Sequence, residues 1–278
     1  MEFVCELSTA YPVKLTMNPH FPFLSDIKDF LYTEFATERY PANEQGGIFT
    51  PSEQPIERIG LTLDPFPDLA NWVQEYNLDA LWIHRPFQLS QLHDLPNLGV
   101  LSHHLPFDEA LTMGYNRLMA ERMGVTNSPE PIGYKQDVDT TGVLLAQRPI
   151  GMLVDVAERE FDEWLHTIKT EFGGYDRAEA GHSLAGWQPH SSRIAVVGAM
   201  TDALVREAAE RGAHLYLTGA YRKPAQLAVD QTGIAVIAIG HRRTEEWGLQ
   251  LLADLLEDRW SIECFIHGQT RKQVINHS

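Results

Sequence analysis

Apolar and polar positions alternate along this chain in two distinct rhythms. In SDIKDFLYTEF (25–35), Ile27, Phe30, Leu31 and Phe35 recur at helical spacing behind Ser25, a residue suited to cap a helix. The Pro/Gly-containing stretch YPANEQGGIFTPSEQP then reads as loop, while for residues 1–22, with prolines at 12, 19 and 22, no element is predicted. ERIGLTLD (57–64) alternates as a strand does, and PDLANWVQEYN (67–77) is predicted as a helix with proline in its first turn. LDALWIHRP (78–86) is apolar until His84. Strand, helix and strand in so short a span form a βαβ unit, whose strands run parallel.

NLGVLSHH (97–104) is predicted as a third strand, and FDEALTMGYNRLMAERMG (107–124) as one helix closing on Gly124. TNSPEPIGYKQDVDTTG reads as loop or linker. The middle that follows GVLLAQRPI is poor in motifs. Its best element is AEREFDEWLHTIKTEF (157–172), where Phe161, Trp164, Leu165, Ile168 and Phe172 form a helical stripe, and GGYDRAEAGHSLAGWQPHSS reads as loop. The last third repeats the early rhythm. RIAVVGA (193–199), AHLYLTG (213–219) and GIAVIAIG (233–240) are predicted strands. TDALVREAAERG (201–212) and TEEWGLQLLADLLED (244–258) are predicted helices, the second burying Trp247, Leu251, Leu252 and Leu255. The predicted architecture is α/β: an N-terminal lobe at 1–125, a linker and middle insertion at 126–192, and a C-terminal lobe at 193–278.

Composition narrows the function classes. With 22 Lys and Arg against 38 Asp and Glu, the net charge of −16 repels a phosphate backbone, so nucleic acid is an unfavoured partner. Cys5 and Cys264 lie far apart without a CxxC pattern, which fits a reducing, cytoplasmic setting rather than a disulfide framework. No apolar run approaches the roughly 20 residues needed to span a bilayer, and MEFVCELSTA lacks the features of a signal peptide.

Histidine is the abundant resource, with 12 in the chain. Three apolar strands end in it: WIHRP, VLSHH and IAIGH. In open α/β sheets, ligands bind beyond the carboxyl ends of strands. A single histidine there is ordinarily a satisfied side chain. Three, with Asp108 and Glu245 each four residues beyond one of them, point to a metal site. Imidazole and carboxylate together suit zinc, iron or manganese better than magnesium or calcium, and a carboxylate can bridge two ions in hydrolytic chemistry. The alternative for Glu245 is a favourable charge at a helix N-terminus, worth under about 1 kcal/mol.

LTLDPFPDLANWVQEYNLDALWIHRPF, SHHLPFDEALTMGYNRLMAERMG, HLYLTG and IAIGHRRTEEWGL, in that order and spacing, resemble the Nif-three-like family, dinuclear-metal proteins often called GTP cyclohydrolase 1 type 2 homologues. The likeness runs from about residue 24 to the last strand. It implies two α/β lobes with mostly parallel mixed sheets packed together, a metal site completed by the C-terminal lobe, and dimers building to a toroidal hexamer. Carried over by position, the metal ligands are His84, Asp108, His241 and Glu245, with Glu245 bridging, for one or two divalent transition-metal ions per chain. His104 is then a candidate proton shuttle, Thr244 a candidate helix cap, and the implied activity a metal-dependent hydrolysis of a small molecule such as a purine nucleotide. The other implied role is a non-catalytic, ring-forming metal scaffold.

The pattern departs at several points. Where the family has a second histidine, this chain has Arg85, which carries only donors and cannot ligate. This predicts one ion held by His84, His241 and Glu245, with the Arg85 guanidinium in the place of the second cation and paired with Asp108; a substitute ligand, His103 or His104, is the competing expectation. Basic groups available to a phosphate are Arg222, Lys223, Arg242 and Arg243. TGAYRKP puts Ala220 and Pro224 at polar positions of the family, and HLPFD drops two polar side chains, so a drier pocket is expected.

Overall fold

The apolar runs fold as strands buried on both faces. The computed structural model describes residues 21–89, 92, 95, 97–125, 127–182 and 190–269. Strands β2 (Arg58–Thr62), β3 (Ala80–Ile83) and β4 (Gly99–Ser102) lie side by side and parallel, with helix α2 (Leu69–Tyr76) crossing between the first two. Strand β1 (Gly47–Thr50), within the stretch read as loop, pairs antiparallel with β4. Strand β11 (Glu263–Ile266) returns from the far end of the chain to lie parallel to β2, giving the order β1-β4-β3-β2-β11.

The second sheet has six strands. Its parallel centre is β8 (His190–Val197), β9 (Leu215–Thr218) and β10 (Ala235–Ala238). Residues 126–192, set apart in the sequence as linker and insertion, supply the rest. They form β5 (Glu130–Lys135), the long β6 (Arg148–Glu160) and β7 (Arg177–Glu179), all antiparallel to their neighbours in the order β5-β6-β8-β9-β10-β7. The AERE segment belongs to β6, so helix α5 spans only Phe161–Phe172.

The two sheets share their main core. Trp82, Leu61 and Leu101 of the first and Met152, Val196, Leu217 and Ile237 of the second join one buried cluster with helix α1 (Leu24–Glu34), α5 and the 19-residue α8 (His241–Arg259). Removing a large apolar side chain from water stabilises the fold by about 1.5–3 kcal/mol. Helix α8 buries residues around its circumference, from Thr244 and Trp247 to Leu252 and Leu256, while Leu255 is half-buried. Helix α2 covers the outer face of the first sheet, and α6 (Asp202–Glu210) with α7 (Gln226–Thr232) covers the outer face of the second. The molecule is thus mixed α/β, with helices both between and outside two sheets.

Some element ends differ from expectation for local reasons. Phe23, not Ser25, precedes α1, because Asp26 accepts the Phe23 N–H at 2.8 Å. The expected helix 107–124 is two, α3 (Leu105–Leu111) and α4 (Arg117–Arg122). Asn116 starts the second by accepting the Met119 N–H at 3.0 Å. Cys264 is buried on β11, whereas Cys5 and the N-terminal stretch lie outside the described residues.

Candidate metal centre

Strands β2, β3, β4 and β10 end at a common place between the sheets. Asp64 follows β2, His84 and Arg85 follow β3, His103 and His104 follow β4, and Gly240 leads from β10 into His241 at the start of α8. The backbone carries ladder geometry a little beyond the strands, with the His84 and Arg85 N–H groups bonded to the Thr62 and Leu63 carbonyls at 3.0 and 2.9 Å. Both four-residue spacings fall on first helical turns: His104–Asp108 on α3 and His241–Glu245 on α8.

His84 is fully buried, and its Nδ1 lies 3.0 Å from the His103 carbonyl oxygen. With Nδ1–H donating there, Nε2 faces Glu245 Oε1 at 3.1 Å and Asp108 Oδ1 at 3.4 Å. His241 Nε2 lies 3.1 Å from the same Glu245 oxygen, and His104 Nε2 lies 3.8 Å from Asp108 Oδ2. Lone pairs therefore converge. Asp108 Oδ1 is buried with no hydrogen-bond partner among the described residues, which a buried carboxylate avoids unless a cation or proton joins it.

The donors form two triads that share Asp108. His84, His104 and Asp108 make one, and Asp108, His241 and Glu245 the other, with the ligand atoms of each within 4.8 Å of one another. Nitrogen and oxygen donors in this mixture, with the His84 ring fixed by a backbone carbonyl, fit a divalent transition metal.

Arg85 sits differently from expectation. It pairs with Glu245 and Asp64, not Asp108: Nη1 and Nη2 reach the two Glu245 oxygens at 2.5 and 3.1 Å, and Nε and Nη2 reach the two Asp64 oxygens at 2.7 and 3.2 Å. The flat guanidinium fork matches two carboxylates at once. Glu245 thus already has a permanent cation. Asp64 went unrecognised as a site residue, although LTLDP places a carboxylate at a strand end beside the strands that end in histidine.

The electrostatics follow this split. Burial pushes Glu245 up, but hydrogen bonds from His241 and Arg85 outweigh it and hold the carboxyl far below the usual range. Asp108 is pushed up to about 6, by burial first and then by the Glu245 charge. The bond to Glu245 raises His241 against the opposing effect of partial burial. His104 is lowered, by desolvation first and also by the Arg85 charge.

Two other expectations change. Thr244 does not cap α8, because Gly240 is the capping position and the Thr244 hydroxyl donates to the His241 carbonyl at 2.7 Å. His103 turns into the core, where Nδ1 accepts the Trp82 indole N–H at 3.2 Å and burial pushes its pKa down to about 4. Consecutive strand-end residues point to opposite sides, so His104 alone of that pair faces the site.

This is a two-sheet α/β protein with a histidine–carboxylate cluster at its strand ends that could hold a metal ion. The chain belongs to the family described as Duf34/NIF3 (NGG1p interacting factor 3), whose sequence profile matches residues 24–272. It is 25% identical over 192 residues, 69% of each chain, to a GTP cyclohydrolase 1 type 2 homolog of Neisseria meningitidis serogroup B. A protein of the same description from Pyrococcus abyssi is 22% identical over 254 residues, covering 86% of this chain and 94% of its own. The fold is similar to a crystal structure of Staphylococcus aureus hypothetical protein SA1388, with a TM-score of 0.67 at 17% identity over 91% of this chain and 97% of that one. Among the described residues, no helix is long and apolar enough to cross a membrane.

Proposed function

We propose that this protein is a metal-dependent, hydrolase-like enzyme that holds one divalent ion of the zinc, iron or manganese kind through His84, His104 and Asp108. Arg85 serves as a fixed second cation for Glu245. The observation that carries the reading is the buried, unpartnered Asp108 Oδ1 beside the His84 Nε2 lone pair. The second triad is less open to an ion, because both Glu245 oxygens already accept from Arg85.

A bound ion of this kind supplies Lewis acidity, which makes water a better nucleophile near neutral pH. The chain's own residues do the rest. The His103 carbonyl fixes the His84 ring, Arg85 keeps Glu245 ionised, and the exposed His241 holds a proton against Glu245 where it can exchange with solvent. The relatives' name suggests GTP as a substrate. The toroidal hexamer implied by the family likeness belongs to the same reading, and sedimentation of the full chain measures it.

Metal analysis of the full chain purified without added metal tests the assignment. The expected result is one ion per chain, lost in Asp108→Ala and His104→Ala and kept in His241→Ala. Two ions in the wild-type chain would overturn the role given to Arg85, and none would overturn the metal centre. An ion bound without turnover of any hydrolysable small molecule would favour the scaffold role.

A further inference from the structure

A cavity of about 430 Å³ opens directly beside the proposed centre, with His84 and His104 in its wall. Its remaining lining is unusual for a site meant to hold phosphate. Phe49, Phe87, Ile48 and Pro86 form apolar walls, and Phe87 and Phe49 are 68% and 55% exposed, so their rings are uncovered. The only acidic or basic side chain in the lining besides the two histidines is Glu44, and no lysine or arginine lines it among the described residues.

The guanidinium groups that follow β3 and open α8 are already committed. Arg85 is bound by Asp64 and Glu245, Arg242 by Glu246 and Asp64 at 2.9 and 3.3 Å, and Arg243 by Asp176. A phosphate brought here meets carboxylates whose cations are taken, and a free carboxylate at Glu44. The loop that carries Glu44 is set firmly against the site. Gly46 has φ +74, and a Cβ there would lie 2.3 Å from the Ser102 carbonyl oxygen, so only glycine lets the backbone approach β4 this closely.

From this lining we infer that the substrate is a neutral or cationic planar ring compound without phosphate. Its ring lies against Phe49 and Phe87, and its hydrogen-bond donors or positive edge face Glu44. This rests on the reading of His84 and His104 as part of the catalytic centre. A cavity of this size suits a compound of one or two fused rings with a small substituent, and aromatic faces bind planar rings by offset stacking.

Calorimetric titration of the full chain with guanosine, N7-methylguanosine and GTP tests the inference, because the three share a ring system and differ in ring charge and phosphate. The expected order is N7-methylguanosine tighter than guanosine, and guanosine at least tenfold tighter than GTP. Phe87→Ala weakens guanosine binding at least fivefold, and Glu44→Gln abolishes the preference for the methylated ring, with the metal content unchanged in both. GTP binding as tightly as guanosine, or no binding of either nucleoside, would overturn the inference. So would a Phe49→Ala/Phe87→Ala chain that sediments at a different mass, which would assign the aromatic wall to a subunit contact. Metal content is measured on the same samples, and titrations are repeated after chelation. A chain that is ion-free as purified and still prefers guanosine to GTP refutes the metal reading alone; an ion-bearing chain that prefers GTP refutes the ring inference alone.

Discussion

Replacing Arg85 by methionine removes the guanidinium while keeping much of the side-chain length. Glu245 is 1% exposed and loses both Arg85 hydrogen bonds, whereas Asp64, at 41% exposure, regains water. Breaking a buried ion pair from one side costs about 3–5 kcal/mol. Arg85 is itself 24% exposed, and His241 still faces the Glu245 carboxylate, so the expected loss is about 2–3 kcal/mol. The freed Asp64 pairing adds little, since exposed pairs contribute about 0–1 kcal/mol. For a chain of this size such a loss lowers the midpoint of thermal unfolding by roughly 3–5 °C. The assay is thermal unfolding in chelator and in zinc, with metal analysis on the same samples. In zinc, the triad of Asp108, His241 and Glu245 becomes available to an ion, so the Arg85→Met chain recovers most of its midpoint and its metal content rises from one to two. An Arg85→Met chain with the wild-type midpoint in chelator and an unchanged metal count would refute the reasoning, because Glu245 would then not depend on Arg85.

Two further outcomes follow from the same geometry. Asp108 titrates at about 6 in the folded chain against an ordinary value of 3.8, so its favourable contribution is present below the lower value and is lost as pH rises through the higher one. In chelator, Asp108→Asn is therefore expected to be more stable than wild type at pH 7 by up to about 3 kcal/mol; urea unfolding at pH 4 and 7 measures it, zinc reverses the order, and an equal difference at both pH values would count against it. Gly46→Ala places a Cβ against the Ser102 carbonyl oxygen in left-handed backbone, so a loss of about 2 kcal/mol or more is expected in urea unfolding, and an unaltered midpoint would show that the loop is not held where it is described.

The parts of the fold legible in the sequence were those buried on both faces. AVIA, LYLT and ALWI are continuous apolar runs because helices cover both sides of their strands, and the stripe of α5 is equally clear. The strand GIFT was hidden because it is a half-exposed edge of four residues amid prolines and glycines. The register of β6 was hidden because its last residues, AERE, carry helix-forming side chains that are overridden by pairing with β8. The break between α3 and α4 depends on a chain reversal so tight that a Cβ on Gly114 would lie 2.0 Å from the Glu109 carbonyl oxygen. At the site, the two four-residue spacings were legible because each is a helical turn. The choice of Arg85 partner was not, since Asp64 and Glu245 come from different elements 21 and 160 residues away.

Arg85 reaches the site as part of the polypeptide and not as a solute. A guanidinium is made with the chain, is always charged, and cannot be stripped by a scavenging ligand. One half of the cluster therefore has its counter-charge built in, and Glu245 keeps it whether or not an ion sits beside Asp108.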